Sequence, residues 1–166
     1  MRNIKVEKIT LNIGIGEPGE KLEKAKTLLT TISGCKPVIT TAKDRIPTWG
    51  LRPGLQIATK VTLRGEKAVA LLKRLLQAKG NALKESSFDK FGNFSFGIPE
   101  YIDIPGVEYD IKIGIIGLET AITLERPGYR IKKRRLRKTK IPTRHLISKE
   151  ESMNFMKEKF NVVIKK

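Results

Sequence analysis

Between Arg126 and Arg144 the chain carries ten lysines and arginines and no Asp or Glu. The stretch reads Arg126-Pro-Gly-Tyr-Arg-Ile-Lys-Lys-Arg-Arg-Leu-Arg-Lys-Thr-Lys-Ile-Pro-Thr-Arg144. Like charges this close repel unless a polyanion or concentrated salt screens them. Two settings suit such a run: a solvated tail, or a surface laid against a polyanion. The run is internal and leads into an amphipathic stretch with a helix-capping signal, which favours the second. Nucleic-acid phosphates would screen it, releasing counterions as they are neutralised.

The remainder is basic as well, within a formal net charge of +17 over 166 residues, so the whole surface favours polyanions. The length suits one domain with a core of its own, here residues 1–166, and no repeat or linker divides it. Cys35 is the only cysteine, so no internal disulfide can form and a reducing compartment fits. His145 is the only histidine, which excludes the usual His-rich metal sites and His-based triads. No apolar run approaches the roughly 20 residues of a membrane span, and the N-terminus lacks a signal-peptide core. Pro127 and Pro142 limit any amphipathic basic helix, so membrane binding is not expected.

Ile9, Leu11 and Ile13 alternate with polar residues as in a half-buried strand, and the opposite phase of Ile4 and Val6 implies a bulge near Glu7-Lys8. Leu22, Ala25, Leu28, Leu29 and Ile32 have helical spacing, with Gly34 as the stop. Lys36 to Thr41 reads as a short strand. Leu55, Ile57, Val61 and Leu63, with Thr59 among them, form one side of the next strand. Gln56, Lys60, Thr62 and Arg64 form the other. Ala68, Leu71, Leu72, Leu75 and Leu76 mark a second helix ending near Gly80-Asn81. Phe94 and Phe96 suggest a strand after the Gly92-Asn93 turn. Tyr109, Ile111, Ile113 and Ile115 alternate as a further strand, turning at Gly117 into one with Thr120, Ile122 and Leu124. Ser148 and Glu151 predict a capping box that opens a C-terminal helix over about 148–160, and residues 162–164 suggest a last strand. The pattern predicts an α+β fold: a mostly antiparallel sheet with helices packed on one face, plus a basic extended insertion at about 126–147.

Two motifs resemble other sites. Gly14-Ile15-Gly16-Glu17-Pro18-Gly19 fits the dinucleotide-binding glycine pattern between a strand and a helix. Glu17 and Glu20 would place negative charge where the pyrophosphate must sit, and no repeated βαβ units follow. The glycines are read as a turn. Phe91, Phe94 and Phe96 could stack on bases as in aromatic RNA-binding strands, but most of these rings are expected in the core.

Taken in order, five blocks resemble the family of large-subunit ribosomal protein five, which binds 5S ribosomal RNA. They are Val6-Glu-Lys-Ile-Thr-Leu-Asn-Ile-Gly-Ile-Gly-Glu17, Ile32-Ser-Gly-Cys-Lys-Pro-Val-Ile-Thr-Thr-Ala-Lys43, Leu51-Arg-Pro-Gly54, Lys60-Val-Thr-Leu-Arg-Gly-Glu66 and Ser87-Phe-Asp-Lys-Phe-Gly-Asn-Phe-Ser-Phe-Gly97. The resemblance spans nearly the whole chain. It implies a structural protein of the cytoplasmic large ribosomal subunit, without catalysis, cofactor, metal or homo-oligomer. The implied partners are 5S rRNA in the central protuberance, 23S-type rRNA, P-site transfer RNA, neighbouring large-subunit proteins, and a small-subunit protein at a bridge. The resemblance, with the basic insertion present and the extra N-terminal helical segment of bacterial members not expected, implies the archaeal and eukaryotic branch.

Carried onto matching positions, the resemblance implies a 5S rRNA surface of Asn12, Gly14, Gly16, Lys36, Thr40, Thr41, Lys43, Gln56 and Lys60. Cations would give affinity there, while amide and hydroxyl groups would set register. The loop Lys43-Asp-Arg-Ile-Pro-Thr-Trp-Gly-Leu-Arg-Pro-Gly54 would face transfer RNA with Arg45, Trp49 and Arg52. Trp49 either stacks on RNA or anchors the loop. Arg130, Lys132, Lys133, Arg134, Arg135, Arg137, Lys138 and Lys140 would meet rRNA phosphates, in a segment that orders on assembly. Loops around Pro105-Gly106 and Gly117 are the bridge candidates. The rival readings are a free-standing RNA-binding regulator and an RNA-acting enzyme. The enzyme would need converging acids or a base with a nucleophile, and neither is evident.

Overall fold

The computed structural model describes residues 1–165. Strand β1 (Lys5–Gly14) buries Ile9, Leu11 and Ile13, as its alternation requires. Its register against β6 (Leu118–Glu125) passes from Val6↔Leu124 to Lys8↔Thr123, which places the bulge at Glu7. With β2 (Val38–Thr41), β3 (Gln56–Arg64) and β5 (Phe94–Ile98), these strands form one antiparallel sheet ordered β2-β3-β1-β6-β5.

Helix α1 (Glu20–Ser33) turns Leu22, Ala25, Leu28, Leu29 and Ile32 inward, and Gly34 closes it in the left-handed region by donating its N–H to the Thr30 carbonyl. Helix α2 (Gly65–Ala78) does the same with Ala68, Leu71, Leu72, Leu75 and Leu76. α1 packs on β3, and α2 packs on β1 and β3. Both helices therefore cover the sheet face carrying Ile9, Leu11, Val61, Leu63, Ile122 and Phe94, in one continuous core. Burying a side chain of this size contributes about 1.5–3 kcal/mol, so the face is fixed inward and its opposite is left to water. Helix α3 (Lys149–Phe160) starts at the anticipated box. Ser148 Oγ accepts from the Glu151 N–H, and Glu151 Oε2 accepts from the Ser148 N–H. Met156 from this helix joins the core.

Phe94 and Phe96 are buried and stack at 6.5 Å, whereas Phe91 is 51% exposed. A parallel pair that periodicity does not reveal joins β4 (Ala82–Lys84) to β7 (Val163–Lys165).

The strand anticipated over Tyr109–Ile115 does not form. β6 is flanked by β1 and β5, so neither of its edges is open to that segment. Asp110 also folds the chain back on itself. Its carbonyl accepts from the Ile113 and Gly114 N–H groups, its Oδ1 accepts from the Lys112 N–H, and its own N–H is held by the Tyr101 hydroxyl. Tyr109, Ile111 and Ile115 are left exposed.

Candidate nucleic-acid interface

The sheet face away from α1 and α2 gathers the polar phase of each strand. Asn12 lies opposite Lys60 across β1 and β3 and opposite Glu119 across β1 and β6; Thr40 lies opposite Ala58, and Thr41 opposite Gln56. Five predicted residues, Asn12, Thr40, Thr41, Gln56 and Lys60, thus share one uncovered surface, with Gly14 opposite Ala58 at its margin. Asn12 Nδ2 reaches Glu119 Oε2 at 3.5 Å, a long bond that leaves the amide largely open to another partner. Lys36 precedes β2 and Lys43 follows it; both are exposed. The face also presents Thr10 and Thr62, whose hydroxyls are 3.4 Å apart, and Ser95. The family blocks do not single these three out, although the same two-residue period places them here.

The glycine turn after β1 behaves as a turn and not as a phosphate cradle. The Ile15 and Gly16 N–H groups both donate to the Ile57 carbonyl, at 2.9 and 2.8 Å, so they are not free to meet a phosphate. Gly16 has φ 85 and Gly19, at the N-cap of α1, has φ 137. What Gly14 and Gly16 offer is room, since an added Cβ at either would meet nothing within 4 Å.

Between β2 and β3 the chain projects as a shaped tongue. Ile46 and Leu51 bridge, residues Pro47–Trp49 make a single 3-10 turn closed by Gly50 at φ 65, and Ala42 pairs with Leu55 and Gly54 through the backbone. Trp49 is 73% exposed and so does not anchor the tongue to the body. Arg45 and Arg52 are exposed and make no ion pair among the described residues.

The basic segment leaves the opposite end of the sheet, directly after β6. Its base is stapled: Tyr129, buried, donates its hydroxyl to the His145 carbonyl and accepts from the Ile147 N–H, while His145 Nε2 meets the Pro127 carbonyl at 2.9 Å. The tip folds through Thr139 N–H to the Ile131 carbonyl and Arg134 Nε to the Arg137 carbonyl. Arg130, Lys132, Arg134, Arg135, Arg137, Lys138 and Lys140 are exposed. Lys133 differs from these: it pairs with Glu7 and Glu125, so much of its charge is already met within the protein.

Glu7, the bulge residue, is buried between Lys133 and Arg64. Burial pushes its carboxyl up, but hydrogen bonds from Lys133 and Arg64 and the charges of Lys133 and Lys8 outweigh burial and hold it below the ordinary value of 4.5. The Tyr129 hydroxyl is raised, chiefly by burial. Among the described residues no three His, Cys, Asp or Glu side chains converge to hold a metal ion, and no helix is long and apolar enough to cross a membrane.

Residues 1–52 match the family profile described as ribosomal protein L5, and residues 56–155 match the profile of the C-terminus of that ribosomal family. The chain belongs to the ribosomal protein L5 family.

Among curated L5 relatives, the large ribosomal subunit protein uL5 of Nanoarchaeum equitans is 54% identical over 99% of this chain and 97% of its own length. That of Sulfurisphaera tokodaii is 53% identical over 99% and 93%. That of Nitrosopumilus maritimus is 46% identical over 99% and 95%. L5 is a family of ribosomal structural proteins and not of enzymes. A structural protein of the large ribosomal subunit assembles with ribosomal RNA and with other ribosomal proteins.

Proposed function

We propose that the protein works in the cytoplasmic large ribosomal subunit, where its open sheet face binds 5S rRNA and helps fix that RNA in the central protuberance. The observation that carries this reading is the convergence of Asn12, Thr40, Thr41, Gln56 and Lys60 on one uncovered face. Small hydroxyl and amide groups there allow the RNA backbone to approach closely, and Lys60 with the neighbouring Lys36 and Lys43 adds attraction to phosphate. Seven solvated cations of the basic segment, Arg130, Lys132, Arg134, Arg135, Arg137, Lys138 and Lys140, meet 23S-type rRNA phosphates with little sequence preference.

The tongue, at the other end of the sheet, faces P-site transfer RNA through Arg45 and Arg52 with Trp49 free to stack. A small-subunit protein at the bridge is served by the loops at Pro105-Gly106 and Gly117, between which Tyr109, Ile111 and Ile115 expose apolar surface.

Replacing Asn12 and Thr41 together by Ala tests the sheet-face assignment. The folded double variant is expected to lose 5S rRNA affinity by at least about tenfold, about 1.4 kcal/mol. Unchanged affinity would remove the face from the binding site.

A further inference from the structure

Phe91 is the one ring of its aromatic cluster that the core does not take, and the fold holds it outside. Asp89 Oδ1 accepts from both the Phe91 and Asn93 N–H groups at 2.8 Å, and Asn93 Nδ2 donates to Asp89 Oδ2 at 3.0 Å. Gly92 between them is buried at φ 77, where an added Cβ would lie 2.5 Å from Ile147 Cγ2. Ser152 Oγ on α3 donates to the Gly92 carbonyl at 2.7 Å. The backbone at the loop tip is thus clamped from both sides, and the ring is left 51% exposed.

Phe91 lines a slot of about 350 Å³ whose other walls include Tyr129, Ile141 and Leu146, with Asn93 and Thr123 as its polar edge. That volume lies at the small end of ligand pockets. Cations surround it. Lys90 Nζ is 5.4 Å from the Phe91 ring centroid, Lys132 Nζ is 4.8 Å from that of Tyr129, and Lys132 and Lys140 themselves line the slot. Among the described residues no acidic side chain lines it.

An exposed aromatic ring on a clamped loop beside a cation-lined apolar slot suits a flat, apolar-faced group attached to a phosphate. We infer that this slot receives one unstacked base of single-stranded RNA. Phe91 stacks on the base, Asn93 and Thr123 meet its polar edge, and Lys132 and Lys140 hold the flanking phosphates. The site rests on the reading of the protein as RNA-binding, and it is separate from the Asn12–Lys60 surface. A loop whose backbone is already held loses less freedom on binding.

The test uses the full chain and two probes of equal length: a short oligouridylate, and an abasic ribose-phosphate chain. At one salt concentration, Phe91→Ala is expected to bind the oligouridylate about tenfold more weakly, in the range of a lost base–aromatic stack. The same variant should bind the abasic chain as the parent does, and Phe91→Tyr should restore base-dependent binding. The inference is overturned if the parent binds both probes equally. It is also overturned if Phe91→Ala weakens both alike, or if Phe91→Tyr fails to rescue. If 5S rRNA is held selectively while Phe91→Ala changes nothing, only this inference fails. If base-dependent oligonucleotide binding is found without 5S selectivity, the slot stands and the proposed 5S assignment of the sheet face fails.

Discussion

Arg126 and Glu151 join the two ends of the basic segment through a 2.6 Å ion pair, with the Arg126 side chain only 4% exposed. The same guanidinium donates to the Leu146 carbonyl at 3.1 Å. The first cation of the run is therefore a structural member, and it holds the exposed cations after it in a closed loop.

Removing one partner of this pair should cost more than removing both. Glu151→Ala leaves a buried guanidinium without its carboxylate and also breaks the capping box, so a loss of about 2–4 kcal/mol is expected. In the double variant with Arg126→Met, part of that loss should return. Chemical denaturation of the two single variants and the double variant would measure the coupling. Simple additivity would show that the pair does not act as a unit.

Acid should destabilise the fold through named carboxylates. Glu7 is held below 4.5 against its burial by Lys133 and Arg64. Glu151 is held below it first by the Ser148 N–H, against burial, with Arg126 adding to the effect. A carboxyl whose folded value lies below its unfolded value contributes stability above the unfolded value and loses it as pH falls through the folded one. Stability should be at its full level near neutrality and decline as pH drops below about 4.5. Glu7→Gln should be less stable than the parent at pH 7, and the gap should close on acidification. A gap that stays constant down the acid limb would dissociate Glu7 from the effect.

The sheet, its helices and its open face were legible because burial enforces period. Ile9, Leu11 and Ile13 on β1, and Val61 and Leu63 on β3, had to face inward, and together they put Asn12 and Lys60 on the same outer side. Capping chemistry is equally local, so Ser148 and Glu151 announced α3. The Tyr109–Ile115 alternation misled because period says nothing about whether a sheet edge is vacant, and both edges of β6 were taken by β1 and β5. Contacts between distant residues also stayed hidden. Nothing local separates Lys133, paired with Glu7 and Glu125, from its exposed neighbours. Nor does the sequence show that Phe91 stays out, because the clamp on its loop comes from Ser152 on the distant helix α3, which donates to the Gly92 carbonyl.

In the proposed function, a shaped sheet face, and not charge alone, selects 5S rRNA. Affinity for 5S rRNA should be measured against a scrambled RNA of equal length across a salt series. A large preference for 5S rRNA that persists as salt rises is expected, because the contacts of Asn12, Thr41 and Gln56 are not counterion release. Equal binding to both RNAs that collapses together with salt would contradict it and leave a polycation without a 5S site.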